Sequence, residues 1–165
     1  MNAFTPVTET KHEYLMSVFP MLCDDYWTDS DSLNYRAISI WDHWLHERGD
    51  ESKLEPRDHS EYEERCQKFQ ILDRELLSRT LLFASFGGST WRFGEPINSE
   101  VAAEAMAHRE DSDGFLALLP ELRIIYTSGD NDHHTRTIWY QDKAAASLFF
   151  DLVEMSGLKI VGGRR

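Results

Sequence analysis

The spacing of apolar residues predicts two helices near the amino terminus. Thr10 and Glu13 form a capping-box pair and apolar residues follow at helical spacing, which predicts a helix over residues 11–22. Residues 33–48 predict a second helix, because their apolar side chains fall on one side at about 100° per residue. That side consists of Leu33, Ala37, Ile40, Trp41, Trp44 and Leu45. We therefore expect both tryptophans to belong to the core.

A third helix and a hairpin are predicted in the middle of the chain. Ser60 and Glu63 repeat the capping-box pair and open a helix that is apolar on one face. Residues 81–86 are a short apolar run that fits either an extension of this helix or a buried strand, and we favour the strand. A Gly-Gly turn and the alternating residues 89–93 then predict the return strand of a hairpin.

The segment after the hairpin gives helical signals followed by a strand. Asn98 or Ser99 caps an alanine-rich helix that ends near residue 108. Residues 114–119 predict one more helical turn. Residues 122–127 predict a strand, and a turn rich in Gly, Asp and Asn follows it.

The carboxyl-terminal part predicts a strand, a helix and a second strand. Residues 135–140 alternate between two faces, Asp142 caps a helix that runs to Ser156, and residues 158–161 form a short closing strand. This order predicts a right-handed crossover that joins parallel neighbouring strands. The helix is apolar around most of its circumference, so we expect the sheet and either another helix or a second subunit to cover it.

These elements predict a single α+β domain. The chain has 165 residues, of which 41% are hydrophobic, which suits one core of ordinary size. We expect a helical amino-terminal half packed on a small mixed sheet of about four or five strands, formed mainly by the carboxyl-terminal half.

The chain start and the cysteine content predict a cytoplasmic protein. The first residues contain no basic region followed by an apolar run, and no window reaches the about 18 apolar residues of a membrane-spanning helix. Cys23 and Cys66 are the only cysteines, too few for the disulfide framework of a small secreted domain. We expect both thiols to be free.

The net charge excludes two classes of partner. Acids outnumber bases 29 to 17 and the formal charge is −12, so the chain is unsuited to binding a nucleic-acid backbone or an anionic membrane surface. The charge is also uneven, because residues 24–64 contain 13 acids against four bases. A surface of one sign attracts a partner of the opposite sign, although acidic surfaces also serve solubility alone.

The main functional prediction is therefore a non-enzymatic protein that captures a basic protein partner, as an immunity protein or antitoxin captures a toxin. Aromatic side chains among the acids resemble the anchors of protein interfaces. The predicted partner-binding residues are Asp24, Asp25, Trp27, Asp29, Asp31, Asp50, Glu51 and Glu55.

A small hydrolase or metal-dependent enzyme is the alternative. Asp73 falls on the apolar stripe of the third helix, so it either pairs with a base such as Arg92 or Arg79, or lines a cleft as a general acid or base, or reaches solvent through a local bend. The turn with Asp130, Asp132, His133 and His134 offers metal-ligand chemistry, although its simpler interpretation is a polar hairpin loop. His43 and His46 lack the order of a zinc-protease helix, and we expect them to face solvent.

Sequence motifs of common enzymes and cofactors are missing. The chain has no phosphate-binding glycine loop, no nucleophile elbow, no Cys-x-x-Cys and no dinucleotide fingerprint, so we expect no cofactor. A third possibility is a structural subunit of a larger assembly or a homodimer, which the widely apolar last helix would favour.

Overall fold

The fold is α+β and is built on one antiparallel sheet, to which the described residues contribute eight strands. A computed structural model describes residues 3–24, 27–29, 31–87, 90–107, 114–128 and 134–163. The strands are β1 (Phe4–Pro6), β2 (Asn34–Ser39), β3 (Leu82–Gly87), β4 (Thr90–Pro96), β5 (Phe115–Leu119), β6 (Ile124–Ser128), β7 (Thr135–Tyr140) and β8 (Lys159–Gly162). The helices are α1 (Glu9–Val18), α2 (His59–Leu76), α3 (Ser99–Met106) and α4 (Lys143–Met155).

Both faces of the sheet are covered. In β6, Ile124 and Tyr126 join a buried cluster with α2, α3 and α4, whereas Ile125 points to the other face. There it packs with Leu15 of α1 and with Phe19, the residue that follows α1. Because strand side chains alternate, each central strand contributes to both clusters. The buried strands therefore hold the helical layers in place.

Residues 33–48 form a strand and a loop, so the predicted second helix is wrong. β2 pairs with β7 on one side and with β8 on the other. Two sets of ladder hydrogen bonds outweigh a local helical periodicity, which is a weak preference. Only Leu45–Arg48 forms a short 3-10 turn, which ends at Gly49 with φ of 69°. Trp41 and Trp44 consequently lie in the loop and are half-buried.

Further predictions about the sheet, whose strand order is β1-β4-β3-β5-β6-β7-β2-β8, are corrected. Phe115–Leu119 is the strand β5 rather than a helical turn, because it pairs with β6 and β3. The strands β7 and β8 are not neighbours, since β2 lies between them and is antiparallel to both. The sheet is thus antiparallel rather than mixed and has eight strands rather than four or five. The amino-terminal half supplies β1 and β2, so it is not simply helical.

Several local signals are confirmed. α2, the β3–β4 hairpin, α3 and β6 occur where they were expected, and β7 has the predicted bounds. Asp142 caps α4 by accepting hydrogen bonds from the amides of Ala144 and Ala145. The first helix begins and ends earlier than predicted, and a 3-10 turn starts at Pro20.

The last helix is covered on its inner side. Ala146, Phe149 and Val153 of α4 are buried in the cluster with α2 and the sheet. Leu148 and Met155 are 54% and 81% exposed, so the cover expected from a second subunit stays a prediction. No helix within the described ranges has the length and apolar character needed to cross a bilayer.

Candidate functional site

The negative charge is densest after β2, in the loop and the first turns of α2. We call residues 42–64 the acidic surface, which contains nine acids and three Lys or Arg side chains. Asp58 caps α2 and accepts a hydrogen bond from the Glu61 amide. A carboxylate at a helix start is favoured by the unpaired amides there. The helix thereby fixes one end of the acidic surface.

A small ion-pair network orders the loop before α2. The two ring nitrogens of His43 lie 2.6 Å from Asp42 Oδ1 and 3.2 Å from Asp50 Oδ2, and Lys53 Nζ lies 2.8 Å from the same Asp50 oxygen. The hydrogen bond with His43 lowers the pKa of Asp42, and the bonds with Lys53 and His43 lower the pKa of Asp50. Both carboxylates therefore already bond to side chains of the same loop.

A second network anchors the loop to α2. Glu61 accepts hydrogen bonds from Arg57 Nε at 2.7 Å and from Arg65 Nη2 at 2.8 Å. The side-chain bond with Arg57, followed by the Arg57 amide and Arg65, lowers the pKa of Glu61 to about 2. Arg65 is buried and also donates to the Leu54 carbonyl at 3.0 Å. The loop is consequently held from both ends.

Three carboxylates of the loop before α2 are left for an outside partner. Glu47, Glu51 and Glu55 are exposed, and within the described ranges none of them forms an ion pair. Glu47 lies on the first of two short 3-10 turns and Glu51 on the second, and Glu55 follows the second turn. A fixed loop that presents unpaired charge loses little conformational entropy on binding.

A cleft with a cavity volume of about 310 Å³ opens beside Glu51, one of these carboxylates. We call it the tryptophan cleft. Its walls include Trp41, Trp44, Leu45, His46, Glu51 and His134. Indole and imidazole rings with a carboxylate at the rim suit the apolar stem and charged end of a Lys or Arg side chain.

Neighbouring groups fix the two indoles. The Arg65 guanidinium lies 5.2 Å from the centre of the Trp41 ring, and the His134 ring centre lies 5.0 Å from it. Trp44 lies over Gly162 of β8, where an added Cβ would come within 2.5 Å of the indole Nε1. Sequence reasoning missed the cleft because it placed both tryptophans on a helix. The available signal was the run of Trp and His among acids at residues 41–51.

The predicted partner-binding residues form two groups. Asp24, Asp29 and Asp31 are exposed in the connection before β2, and Asp50, Glu51 and Glu55 lie in the connection after it. Asp25 lies outside the described residues. Trp27 is 8% exposed and its ring centre is 5.2 Å from that of Trp139, so it belongs to the core. Trp139 lies toward the end of β7, whereas the tryptophan cleft touches the first residue of β7. The first group is thus not part of the cleft.

Asp73 is paired with Arg136 of β7, rather than with Arg92 or Arg79. Arg136 Nη1 donates to Asp73 Oδ1 at 2.5 Å and to the Tyr126 hydroxyl at 2.6 Å, and that hydroxyl donates to Asp73 at 3.2 Å. Arg136 Nη2 donates to the Met106 carbonyl at 2.9 Å. The buried network therefore ties α2 to β6, β7 and the end of α3.

Burial governs the ionisation of this network. It raises the pKa of Asp73 although Arg136 opposes the shift, and it raises the pKa of Tyr126. Burial also disfavours the charged form of Arg136, but Tyr126 and Asp73 outweigh it and raise the pKa of Arg136. The carboxylate already has an arginine and a phenol as partners, an arrangement typical of structural pairing. A catalytic role for Asp73 stays a prediction.

The predicted metal-binding turn is largely outside the described residues, which exclude Asp130, Asp132 and His133. His134 lies in the tryptophan cleft. Among the described residues, no group of three or more His, Cys, Asp or Glu side chains is arranged to hold a metal ion. Cys23 and Cys66 are free thiols.

Comparisons of the chain with protein families, with curated proteins and with solved structures find no significant match.

Proposed function

We propose that the chain is a non-enzymatic binding protein that captures a basic protein partner through the acidic surface, in the manner of an immunity protein or antitoxin. The observation that supports this proposal is that Glu47, Glu51 and Glu55 are exposed and without ion pairs in the described ranges, and that Glu51 lines the tryptophan cleft. Charge and a partly apolar cleft together provide attraction and a place for an anchor residue.

The anchor that fits best is a Lys or Arg side chain of the partner. Its methylene stem would pack against the indole of Trp44, and its charged end would meet Glu51 at the rim. Arg65 already occupies such a position over Trp41 within the chain. The protein thus uses the same pairing of a guanidinium with an indole in its own structure.

The internal networks support this role in a different way. Lys53, Arg57 and Arg65 neutralise part of the acidic surface, and together with the hydrogen bonds of His43 they hold the loop. The remaining carboxylates are therefore preorganised, and their field speeds the encounter with a cationic partner. Surface charges at the rim of an interface act mainly on association rate and salt dependence.

Differential capture from a lysate of the source organism tests the proposal. The baits are the wild type and a surface variant with Glu47→Gln, Glu51→Gln and Glu55→Gln. We expect the wild type to retain a basic protein that the surface variant loses, because the three substitutions remove the unpaired carboxylates of the loop before α2 and leave the internal networks intact.

A matched variant controls for net charge. Glu13→Gln, Glu75→Gln and Glu154→Gln remove the same charge from exposed positions on α1, α2 and α4. We expect this control to retain the partner as well as the wild type does. Equal retention by all three baits, or equal loss from both variants, would contradict a role for the acidic surface.

A further inference from the structure

A second cavity, with a volume of about 470 Å³, lies where β1 leaves the edge of β4. β1 ends at Pro6, which pairs with Gly94, and the chain then turns away into α1. Toward Thr90, no strand of the described residues pairs with β4 on that side. The cavity occupies the notch that this divergence creates, and it shares no lining residue with the tryptophan cleft.

The floor of the notch is apolar. Gly94 is flanked by Phe83 of β3 and Pro6 of β1 in the same cross-strand row. Phe4 lies close against Gly94, where an added Cβ would come within 3.1 Å of the Phe4 Cβ. The rings of Phe4 and Phe83 meet edge to face with centres 5.4 Å apart. Two aromatic rings and a proline thus offer a surface for an apolar ligand body.

One end of the notch carries the cationic side chain of an arginine. Arg92 lies one row beyond Gly94 on the same face, opposite Ser85 of β3. It is exposed, and within the described ranges it forms no ion pair. A guanidinium without an ion pair beside an apolar cavity is available to an anionic ligand.

The other charged groups nearby leave Arg92 available. No Asp or Glu is among the described residues that line the notch. Glu95 forms an ion pair with Lys11. His12 Nε2 lies 3.3 Å from the Trp91 carbonyl, where the imidazole covers the open edge of β4. The lining therefore combines apolar rings with one guanidinium, one imidazole and one hydroxyl.

We propose that this notch binds a small carboxylic acid with an apolar body. The carboxylate pairs with Arg92, where a guanidinium can donate two parallel hydrogen bonds, and the Ser85 hydroxyl lies beside it. The apolar body rests against Phe4 and Phe83. This site is independent of the acidic surface, since it has the opposite charge and different residues.

Matched probes that differ only in the head group test the proposal. The probes are 4-phenylbutyrate, 4-phenylbutan-1-ol and 4-phenylbutylamine, titrated into the full chain while the indole N–H signals are followed by NMR. We expect saturable shifts at Trp91, a lining residue, with the carboxylate binding about tenfold more tightly than the alcohol because of one charge-assisted pair. The amine should bind most weakly.

Substitutions at Arg92 and Ser85 test the pairing with the carboxylate and the access to the cavity. Arg92→Gln should abolish the preference for the carboxylate over the alcohol, whereas Arg74→Gln, an exposed arginine outside the notch, should leave it unchanged. Ser85→Phe fills the mouth at an exposed strand position and should weaken both probes.

Three results would overturn the proposal: no saturable binding, equal affinity for acid and alcohol in the wild type, or shifts centred on Trp41 and Trp44. Unfolding curves of each variant verify that the fold is retained. Because the acidic surface is unchanged in these variants, loss of probe binding is distinguishable from loss of a basic protein partner.

Discussion

Arg136 of β7 and Asp73 of α2 form an ion pair closed to solvent on both sides, with 4% and 6% of their side chains exposed. The Arg136 guanidinium also lies 4.5 Å from the centre of the Phe69 ring. Burying such a pair costs free energy, and removing one partner costs more, because the remaining charge is then buried without a counter-ion. It fixes the position of α2, and α2 in turn carries the end of the acidic surface.

Asp73→Asn should destabilise the protein by about 3–5 kcal/mol, since Arg136 then stays buried without its counter-ion. Urea unfolding followed by circular dichroism measures the loss. The double variant Asp73→Leu with Arg136→Met should recover much of it, because both charges are removed together. A single Asn variant as stable as the wild type would show that the pair has no structural role.

The stability contributed by Glu61 should depend on pH in the acid range. Its pKa is lowered from 4.5 to about 2 by Arg57 and Arg65, so the folded state binds this proton less readily than the unfolded state. The contribution is present above pH 4.5 and is lost as the pH falls toward about 2. The difference in unfolding free energy between the wild type and Glu61→Gln should shrink over that range. A carboxyl-carbon NMR titration of Glu61 with a midpoint near 4.5 would contradict this.

Trp27 should matter for stability and not for partner binding. It is buried against Trp139, so Trp27→Ala should cost about 3–5 kcal/mol of unfolding free energy. Trp44→Ala should cost less, because Trp44 is only half-buried, and should weaken partner binding more. The reverse pattern in unfolding curves and binding assays would restore Trp27 as an interface anchor.

Gly162→Ala should displace the Trp44 indole, since the new Cβ would otherwise lie 2.5 Å from its Nε1. We expect a shifted Trp44 indole N–H signal by NMR and a several-fold weaker affinity for the basic partner. Gly87→Ala is the matched control, because a Cβ there meets nothing within 4 Å. An unchanged Trp44 signal in Gly162→Ala would remove the link between β8 and the tryptophan cleft.

The elements that were predicted correctly are those that depend on residues close in sequence, such as a helix cap or an alternating strand. Asp142 marked the start of α4, and the alternation of residues 135–140 gave β7 its bounds. β2 was missed because Ala37 and the residues around it also satisfy a helical period, and only pairing with β7 and β8 selects the strand. Long-range pairing of this kind leaves no local trace in the sequence.

The candidate sites likewise combine features that the sequence predicted with contacts that only the fold creates. Asp73 stood out because a carboxylate broke an apolar stripe, and it is buried as that position implied. Its partner Arg136 is 63 residues away, so the sequence could not identify it. The free carboxylates Glu51 and Glu55 were expected from charge alone, whereas the cleft beside them depends on a loop that was predicted as a helix.

The central claim is that the acidic surface binds a basic partner electrostatically. Isothermal titration of the captured basic protein with the wild type at about 50 and about 300 mM salt tests it most directly, because screening weakens exposed charge pairs. We expect the dissociation constant of the wild type to rise at least about tenfold with salt, and the surface variant to bind weakly with a much smaller dependence. An affinity that is the same at both salt concentrations and in both proteins would contradict the claim.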